Sequence, residues 1–214
     1  MAKRSKPKSK RLGEADNKAG RIAIIEAAAE QFALAGYDAT TMRDIASSTG
    51  LLPGSLYYYF PSKEELFCAV HETAIERICE NVRRSIGETA DPWTQLEQAC
   101  TGYLESMLLK PDAMYAGLIV AEFPRRRSRE LRKRLIEHRN RFENLFTKIV
   151  TELPLKPGTN RSYWRLALLG MMAWTYVWYS PEGDSPAVIA RKLIDLLRGP
   201  TEDGKSVDGP SRKR

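Results

Sequence analysis

The chain has few of the residues that build metal sites, disulfides or catalytic centres. Its 214 residues include three cysteines and two histidines, and no two cysteines form a Cys-x-x-Cys pair. An odd number of isolated thiols is typical of a reducing compartment, so we expect reduced cysteines, a cytoplasmic protein and no metal site. No nucleophile, base and acid recur at a recognisable spacing, and no phosphate-binding glycine loop is present. The sequence therefore argues against an enzyme and predicts no cofactor.

Long hydrophobic runs and strand patterns are also missing. The most apolar segment, residues 166–178, is too short and too interrupted to span a bilayer. The basic N-terminus has no apolar segment behind it, so we expect neither a secretory signal nor a membrane partner. Apolar residues recur at spacings of three and four instead, which predicts an all-α chain.

Positive charge is abundant but unevenly distributed. The formal net charge is +7, and residues 1–15 alone hold six bases against one acid. Residues 16–66, in contrast, hold four bases against seven acids. Net charge alone would therefore not assign nucleic-acid binding to that segment. We expect a few well-placed bases, helped by the N-terminal segment, to make any phosphate contacts.

Residues 40–66 are the most informative segment of the chain. They begin with a short helical pattern that Gly50 ends, because a residue without Cβ readily enters the left-handed conformation that a sharp turn needs. Pro53 suits the first turn of a second helix. That helix presents hydrogen-bonding side chains, namely Ser55, Tyr57, Tyr58 and Tyr59. A helix, a tight turn and a polar-faced helix predict a helix-turn-helix that reads the major groove of DNA.

The same segment resembles the TetR/AcrR family of bacterial transcriptional regulators. The matching residues, in order and without a gap, are Thr40 or Thr41, Ile45-Ala46, Gly50, Gly54-Ser55-Leu56-Tyr57, Tyr59-Phe60 and Ser62-Lys63-Glu64-Glu65-Leu66. Leu52 departs from the pattern, because members usually place a capping Ser or Thr there, and the missing cap costs about 1 kcal/mol.

The resemblance implies a regulator, expected to be a repressor, that binds a palindromic double-stranded operator as a homodimer. The DNA-binding residues that it implies are Thr41, Arg43, Pro53, Gly54, Ser55, Tyr57, Tyr58, Tyr59 and Lys63, with Lys63 on a phosphate. The operator sequence, the regulated genes and the choice between repression and activation stay open.

The helical pattern continues beyond this segment and suggests a domain division. We expect a disordered basic tail over 1–15 and a three-helix DNA-binding domain over 16–64, with its recognition unit at 41–60. A helical ligand-binding and dimerisation domain should follow over 65–199, and a disordered tail over 200–214. The helices predicted in these domains outside the recognition unit are 17–36, one capped by Ser62 and Glu65, one opening at Asp91-Pro92, 111–123, 128–151, 160–179 and 185–197.

Apolar stripes within these helices predict the core and the dimer contact. In the first helix the stripe is Ile22, Ile25, Ala29 and Phe32, and in 128–151 it is Leu131, Leu135, His138, Phe142, Leu145 and Ile149. We interpret His138 as a core histidine. The last two helices, about 160–180 and 185–198, carry more apolar surface than one small domain needs, which predicts a dimer seam. Its residues would be Leu166, Leu169, Ala173, Val177, Ile189, Leu193 and Leu197.

Two features of the C-terminal part bear on an effector. Residues 170–183 resemble the Trp-Thr-Tyr-x-Trp-Tyr-x-Pro-x-Gly stretch of family members that sense acyl-CoA thioesters, although plain core and dimer seam also explain these aromatic residues. A basic run over 125–141 places Arg127, Arg134 and Arg141 on one helical face, as a phosphate-binding stripe or as a solvated surface.

We therefore predict release of the operator by a small hydrophobic effector, with an acyl-CoA thioester as the specific hypothesis. Its contacts would be Phe123, Arg127, Arg134, Phe142, Met171, Trp174 and Trp178. A sensor of a hydrophobic compound without coenzyme A, or a DNA-binding regulator with no small ligand, are the alternatives.

Overall fold

A computed structural model describes residues 8–88, 91–109, 115 and 128–198. These ranges contain α-helices and no strand, which confirms the predicted all-α class. The helices are α1 (Lys8–Ala39), α2 (Met42–Ser48), α3 (Pro53–Tyr59), α4 (Lys63–Ser85), α5 (Pro92–Leu108), α6 (Arg129–Glu152), α7 (Arg161–Trp178) and α8 (Pro186–Arg198). The predicted helix over 111–123 lies outside the described residues.

Local capping chemistry sets most of the helix ends where the sequence predicts them. The side chains of Ser62, Asp91, Ser128 and Asn160 each accept a hydrogen bond from a backbone N–H in the first turn of the following helix. Chain direction changes sharply at Gly36, where φ is 80° inside the span of α1. No helix in the described part of the chain is long and apolar enough to cross a membrane.

The first helix differs from its prediction at its start and in its buried face. It begins at Lys8, so residues 8–15 of the segment expected to be disordered are helical. Lys, Arg, Leu, Glu and Ala are good helix formers, and extending an existing helix needs no new nucleus. Ile22 was wrongly expected in the core, since it is 45% exposed, whereas Ile24 and Ala28 are fully buried.

Two further details of the predicted pattern are wrong. Leu145 of α6 was expected in the core but is only half-buried at its edge, and its neighbour Phe146 is fully buried. The box predicted at the start of α4 is half-formed, because Ser62 accepts from the Glu65 N–H while the Glu65 carboxylate accepts from Arg134. A long-range ion pair thus displaces the local contact that the sequence pattern favoured.

Two hydrophobic cores share α4. The recognition core joins α1, α2 and α3 to the first half of α4, including Leu66 and Val70, and to Leu131 and Leu135 of α6. The body core joins the second half of α4, from Ile75 to Val82, to α5, α6, α7 and α8. Each core therefore contains one end of the same helix.

Close backbone packing holds the body half of α4 against α5. A Cβ at Gly102 would lie 3.0 Å from the carbonyl oxygen of Asn81, tighter than side chains normally tolerate. Only glycine fits there without a shift of one helix, so α4 is held along its length and not only at its recognition end.

Candidate DNA interface and effector region

The start of α2 is fixed by a complete capping box. Thr41 Oγ1 accepts from the Asp44 N–H at 3.2 Å, and the Asp44 carboxylate accepts from the Thr41 N–H at 2.9 Å. The Thr41 hydroxyl also donates to that carboxylate at 2.6 Å, and these bonds hold the pKa of Asp44 below its usual value. The residue that sequence reasoning missed is Asp44, which the Thr-x-x-Asp spacing could have revealed.

The turn and the recognition helix follow the predicted arrangement. Gly50 has φ 68°, and the Leu51 N–H donates to the Ala46 carbonyl at 2.9 Å, which closes the turn. Leu52 occupies the N-cap of α3 without a side-chain hydrogen bond, as its apolar chemistry requires. The buried face of α3 is Leu56, which anchors the helix in the recognition core.

The polar face of α3 points away from the protein. The side chains of Tyr57 and Tyr58 are 51% and 77% exposed, and Gly54 and Ser55 are exposed beside them. Tyr59 is different, because it is half-buried and its hydroxyl packs against Gly20 of α1. A Cβ at position 20 would lie only 2.9 Å from that hydroxyl. Two of the three consecutive tyrosines are thus available to a partner, and the third fastens α3 to α1.

An open groove runs between the beginnings of α2 and α3. It is lined by Thr40, Thr41, Met42, Arg43, Pro53, Tyr57 and Lys63. Five of the nine residues predicted to bind DNA meet in this groove, and three more lie on the exposed face of α3. The arrangement presents hydroxyl groups and a guanidinium on a concave surface, which suits hydrogen bonding to phosphates and base edges.

The side chain of Lys63, which the resemblance implied would contact a phosphate, hydrogen-bonds within the protein. Its ammonium group donates to the carbonyl oxygens of Tyr37 and Thr40 at 2.8 Å each, and lies 4.3 Å from the centre of the Tyr37 ring. The side chain expected on a phosphate thus binds the carbonyl groups at the end of α1 and ties the first turn of α4 to them. Positive charge at a helix C-terminus is electrostatically favourable, which explains the placement.

Comparison with known proteins assigns the family. Residues 24–70 match the family described as bacterial regulatory proteins, tetR family, and residues 89–200 match the tetracyclin repressor-like C-terminal domain. The chain belongs to the TetR family. The predicted resemblance is confirmed, and so is a transcriptional regulator rather than an enzyme.

Individual relatives agree with that assignment over most of the chain. The transcriptional repressor KstR2 of Mycobacterium tuberculosis is 28% identical over 204 residues, covering 90% of this chain and 97% of the relative. AibR, solved with isovaleryl coenzyme A and operator DNA, superposes with a TM-score of 0.72 at 21% identity, over 85% of this chain and 100% of AibR. FadR of Bacillus subtilis, solved with stearoyl-CoA, gives 0.70 at 24% identity, over 82% and 96%. At these identities the two structures show a shared fold.

The residues predicted to bind an effector are not brought together in the described part of the chain. Phe142 is buried, with ring centres 5.1 Å from Tyr103 and 5.2 Å from Phe146. Trp174 and Trp178 are 62% and 47% exposed on the outer side of α7, so they do not close an internal slot. The inner side of α7 is filled by residues at helical spacing, namely Trp164, Leu168, Met172 and Thr175. Met171 is half-buried, and Phe123 and Arg127 lie outside the described residues.

The arginine stripe of α6 meets carboxylates of α4. Arg134 Nη1 lies 2.7 Å from Glu65 Oε1, and Arg141 Nη2 lies 3.2 Å from Glu72 Oε1. The second pair lies seven residues after the first on each helix. The helices α4 and α6 therefore run parallel and in register. Two of the three side chains predicted to hold phosphates, Arg134 and Arg141, are therefore already paired with carboxylates of α4, and the third, Arg127, lies outside the described residues. Sequence spacing identified the stripe but carried no signal for its partners.

A buried histidine pair lies between these ion pairs. His71 Nδ1 and His138 Nδ1 are 3.3 Å apart, and their rings stack with centres 5.5 Å apart. One Nδ1 must donate and the other accept, so the ring that accepts is neutral when this bond forms. Burial lowers the pKa of His71 to about 4 and also lowers the pKa of His138. For His138 the carboxylate of Glu72, 3.9 Å from Nε2, raises the pKa, while the charges of Arg141 and Arg134 lower it further.

Because of the histidine pair, we expect the free energy of unfolding to decrease as the pH is lowered. The pKa of each ring is lower in the folded chain than in the unfolded chain, so the unfolded state binds protons first as the pH drops below about 6.5. Between pH 7.5 and 5.5 the free energy of unfolding should fall by roughly 1–3 kcal/mol from this source. Replacing both partners together, as His71→Leu with His138→Leu, should remove that slope in denaturant titrations. An equal slope in the double variant would contradict the assignment.

Proposed function

We propose that this TetR-family chain is a repressor that binds a palindromic operator as a homodimer and leaves it when an acyl-CoA thioester binds. The observation that carries the DNA half of the proposal is the exposed face of α3, formed by Gly54, Ser55, Tyr57 and Tyr58 beside the groove. The operator-bound AibR structure supports it, since its fold is shared with this chain.

Gly54 lies on this face at a helical position where the fold does not require a glycine. No atom lies within 4 Å of the position that a Cβ would occupy, and its φ is not in the left-handed region. Glycine inside a helix costs roughly 0.5–1 kcal/mol relative to alanine. Neither packing nor a turn requires that cost here. Close approach of a nucleic-acid backbone to α3 supplies a reason for it.

An apolar face on α7 supports the homodimer. Most of its large exposed side chains share one side of the helix, namely Tyr163, Leu166, Trp174, Val177 and Trp178, and Tyr176 is exposed on the opposite side. Exposed Gly170, near the middle of that side, has open space around it, which lets a second helix approach. A second copy of the chain, related by a two-fold axis, would bury these side chains against their own equivalents.

The seam differs in part from the one that the sequence predicted. Ile189 belongs to the body core and is unavailable, while Leu169, Ala173, Leu193 and Leu197 are half-buried. On this proposal Trp174 and Trp178 belong to the dimer contact, which is the alternative that the sequence left open for them.

The effector half of the proposal rests on chemistry at the junction of α4 and α6. A buried aromatic cluster, Tyr103, Phe142 and Phe146, lies in the body core and offers apolar contacts for an acyl chain. The guanidinium groups of Arg134 and Arg141, on the same helix as Phe142 and Phe146, can donate to phosphates. FadR and AibR were both solved with CoA thioesters, which favours this ligand class.

Competition for these arginines would link the effector to DNA. A phosphate that draws Arg134 from Glu65, or Arg141 from Glu72, removes a contact that holds α4 in register with α6. The ligand then favours another position of α4, and the spacing of the two recognition helices changes. A difference in affinity of about 1–3 kcal/mol between the two states is enough to shift operator occupancy.

A hydrophobic effector without coenzyme A is the second candidate. It is favoured by the same ion pairs, because Glu65 and Glu72 already satisfy the arginines and a neutral ligand would not have to break them.

Substitutions on α3 test the DNA half. Tyr57→Ala and Tyr58→Ala should each weaken operator binding by roughly 1–3 kcal/mol, because alanine cannot reach the groove of the duplex. Gly54→Ala should weaken it too, without lowering the melting temperature, because the new methyl group meets only the partner. The matched control is Gly87→Ala, an exposed glycine at the far end of α4 with ordinary space for a methyl group. Unchanged operator affinity for all three α3 variants in anisotropy titrations would overturn the interface.

Calorimetric titration tests the effector half. Acyl-CoAs of several chain lengths should give saturable heat and should release a labelled operator, and Arg141→Gln should weaken both effects. Lys148→Gln, an exposed charge further along α6, serves as the control. Heat from the matching free acids but not from the thioesters would reject the coenzyme A hypothesis. Silence from both ligand series would reject a fatty-acyl effector altogether.

A further inference from the structure

The DNA-binding half of the molecule is poor in usable positive charge. Residues 16–66 contain only four bases, and two of them are engaged within the protein. The ammonium group of Lys63 binds carbonyl oxygens of Tyr37 and Thr40, and the guanidinium group of Arg21 lies 4.7 Å from the centre of the Phe60 ring. Lys18 and Arg43 remain. Binding to a duplex depends strongly on neutralised phosphates, so cations from outside residues 16–66 add to it. The six bases of residues 1–15 are one expected source, and cations that the fold brings to the same end of the molecule are another.

Three cations at the beginning of α6 are available. Arg129, Arg132 and Lys133 are all exposed, and within residues 8–88, 91–109, 115 and 128–198 their side chains form no ion pair. Arg132 and Lys133 lie three and four residues after Arg129, so the three side chains share one side of the helix and repel one another. Neighbouring arginines of the same helix behave differently, since Arg134 and Arg141 are held by carboxylates of α4.

The fold brings this cluster to the end of the body that is next to the recognition unit. Ser128 Oγ donates to Glu64 Oε2 at 2.8 Å, and Glu64 follows Lys63, which lines the groove. Leu131 and Leu135, on the opposite side of the same two turns, are buried in the recognition core. Because α4 and α6 run parallel, both helices begin at this end. Long side chains in the first turns of a helix also lean toward its N-terminus.

We infer that Arg129, Arg132 and Lys133 form an accessory phosphate-binding surface that contacts the DNA backbone beside the groove read by α3. The inference rests on the proposed DNA-binding function and is independent of the effector. The surface is continuous with the groove through Ser128, Glu64 and Lys63, and its charge is complementary to a duplex. Backbone contacts carry no base information, so the surface adds affinity for any sequence and strengthens the salt dependence of binding.

The test compares two double variants that remove the same charge. Arg129→Gln with Arg132→Gln removes two cations of the surface, and Lys148→Gln with Lys156→Gln removes two exposed lysines from the other end of α6 and the loop after it. Affinity for an operator duplex and for an unrelated duplex of equal length is measured by anisotropy over a range of salt concentrations. The first variant should bind both duplexes more weakly, and its slope of log affinity against log salt should be shallower by about 0.9 for each phosphate that is no longer neutralised. The lysine variant should keep the wild-type slope.

The outcomes separate this inference from the function on which it rests. Equal slopes for the arginine variant and the wild type would overturn the accessory surface while leaving the α3 interface intact. Failure of the wild type to bind any duplex would overturn DNA binding itself. Thermal shifts with an acyl-CoA should be the same for the wild type and the arginine variant. Disappearance of the ligand shift with an unchanged salt slope would assign these cations to the effector and contradict the inference.

Discussion

The shared use of α4 by two hydrophobic cores is the constraint on which the rest of the structure depends. The helix runs from Lys63 to Ser85 without a glycine or proline, so it transmits a displacement along its length rather than absorbing it in a kink. Its first half is packed in the recognition core and its second half in the body core. A change in the body that moves α4 must therefore move α2 and α3, or break one of the cores.

Polar contacts from different sides of α4 determine how firmly this helix is held. Lys63 binds the end of α1, Glu65 and Glu72 bind arginines of α6, and His71 meets His138 between them. The ion pairs are partly exposed, so each is worth little and can be exchanged for another anion. The histidine bond is buried, and removing one partner would leave the other without its hydrogen bond. The interface thus combines replaceable contacts with one that is costly to break.

The sequence predicts the recognition unit well because its determinants are local. Gly50, Pro53, the caps of α4, α5, α6 and α7, and the buried Leu56 all follow from spacing and from backbone chemistry within a few residues. The effector region is different. The partners of Arg134 and Arg141 are 69 residues away in the chain, and only helix packing brings them together. The outward position of Trp174 and Trp178 depends on which side of α7 the body core fills, and an apolar helix does not specify that alone. The hydrogen bonds of Lys63 to carbonyl groups at the end of α1 could not be predicted from the sequence, because they too depend on helix packing.

The most direct test of coupling through α4 is the distance between the two recognition helices of a dimer with and without an effector. A spin label on Leu52→Cys reports this distance, because Leu52 is exposed at the start of α3 while the native thiols Cys68, Cys79 and Cys100 are buried. In pulsed dipolar spectroscopy, addition of an acyl-CoA that releases the operator should move the distance distribution away from the separation of half-sites one helical turn apart, about 34–36 Å between recognition helices. An unchanged distribution with an acyl-CoA that binds and still releases DNA would contradict the account.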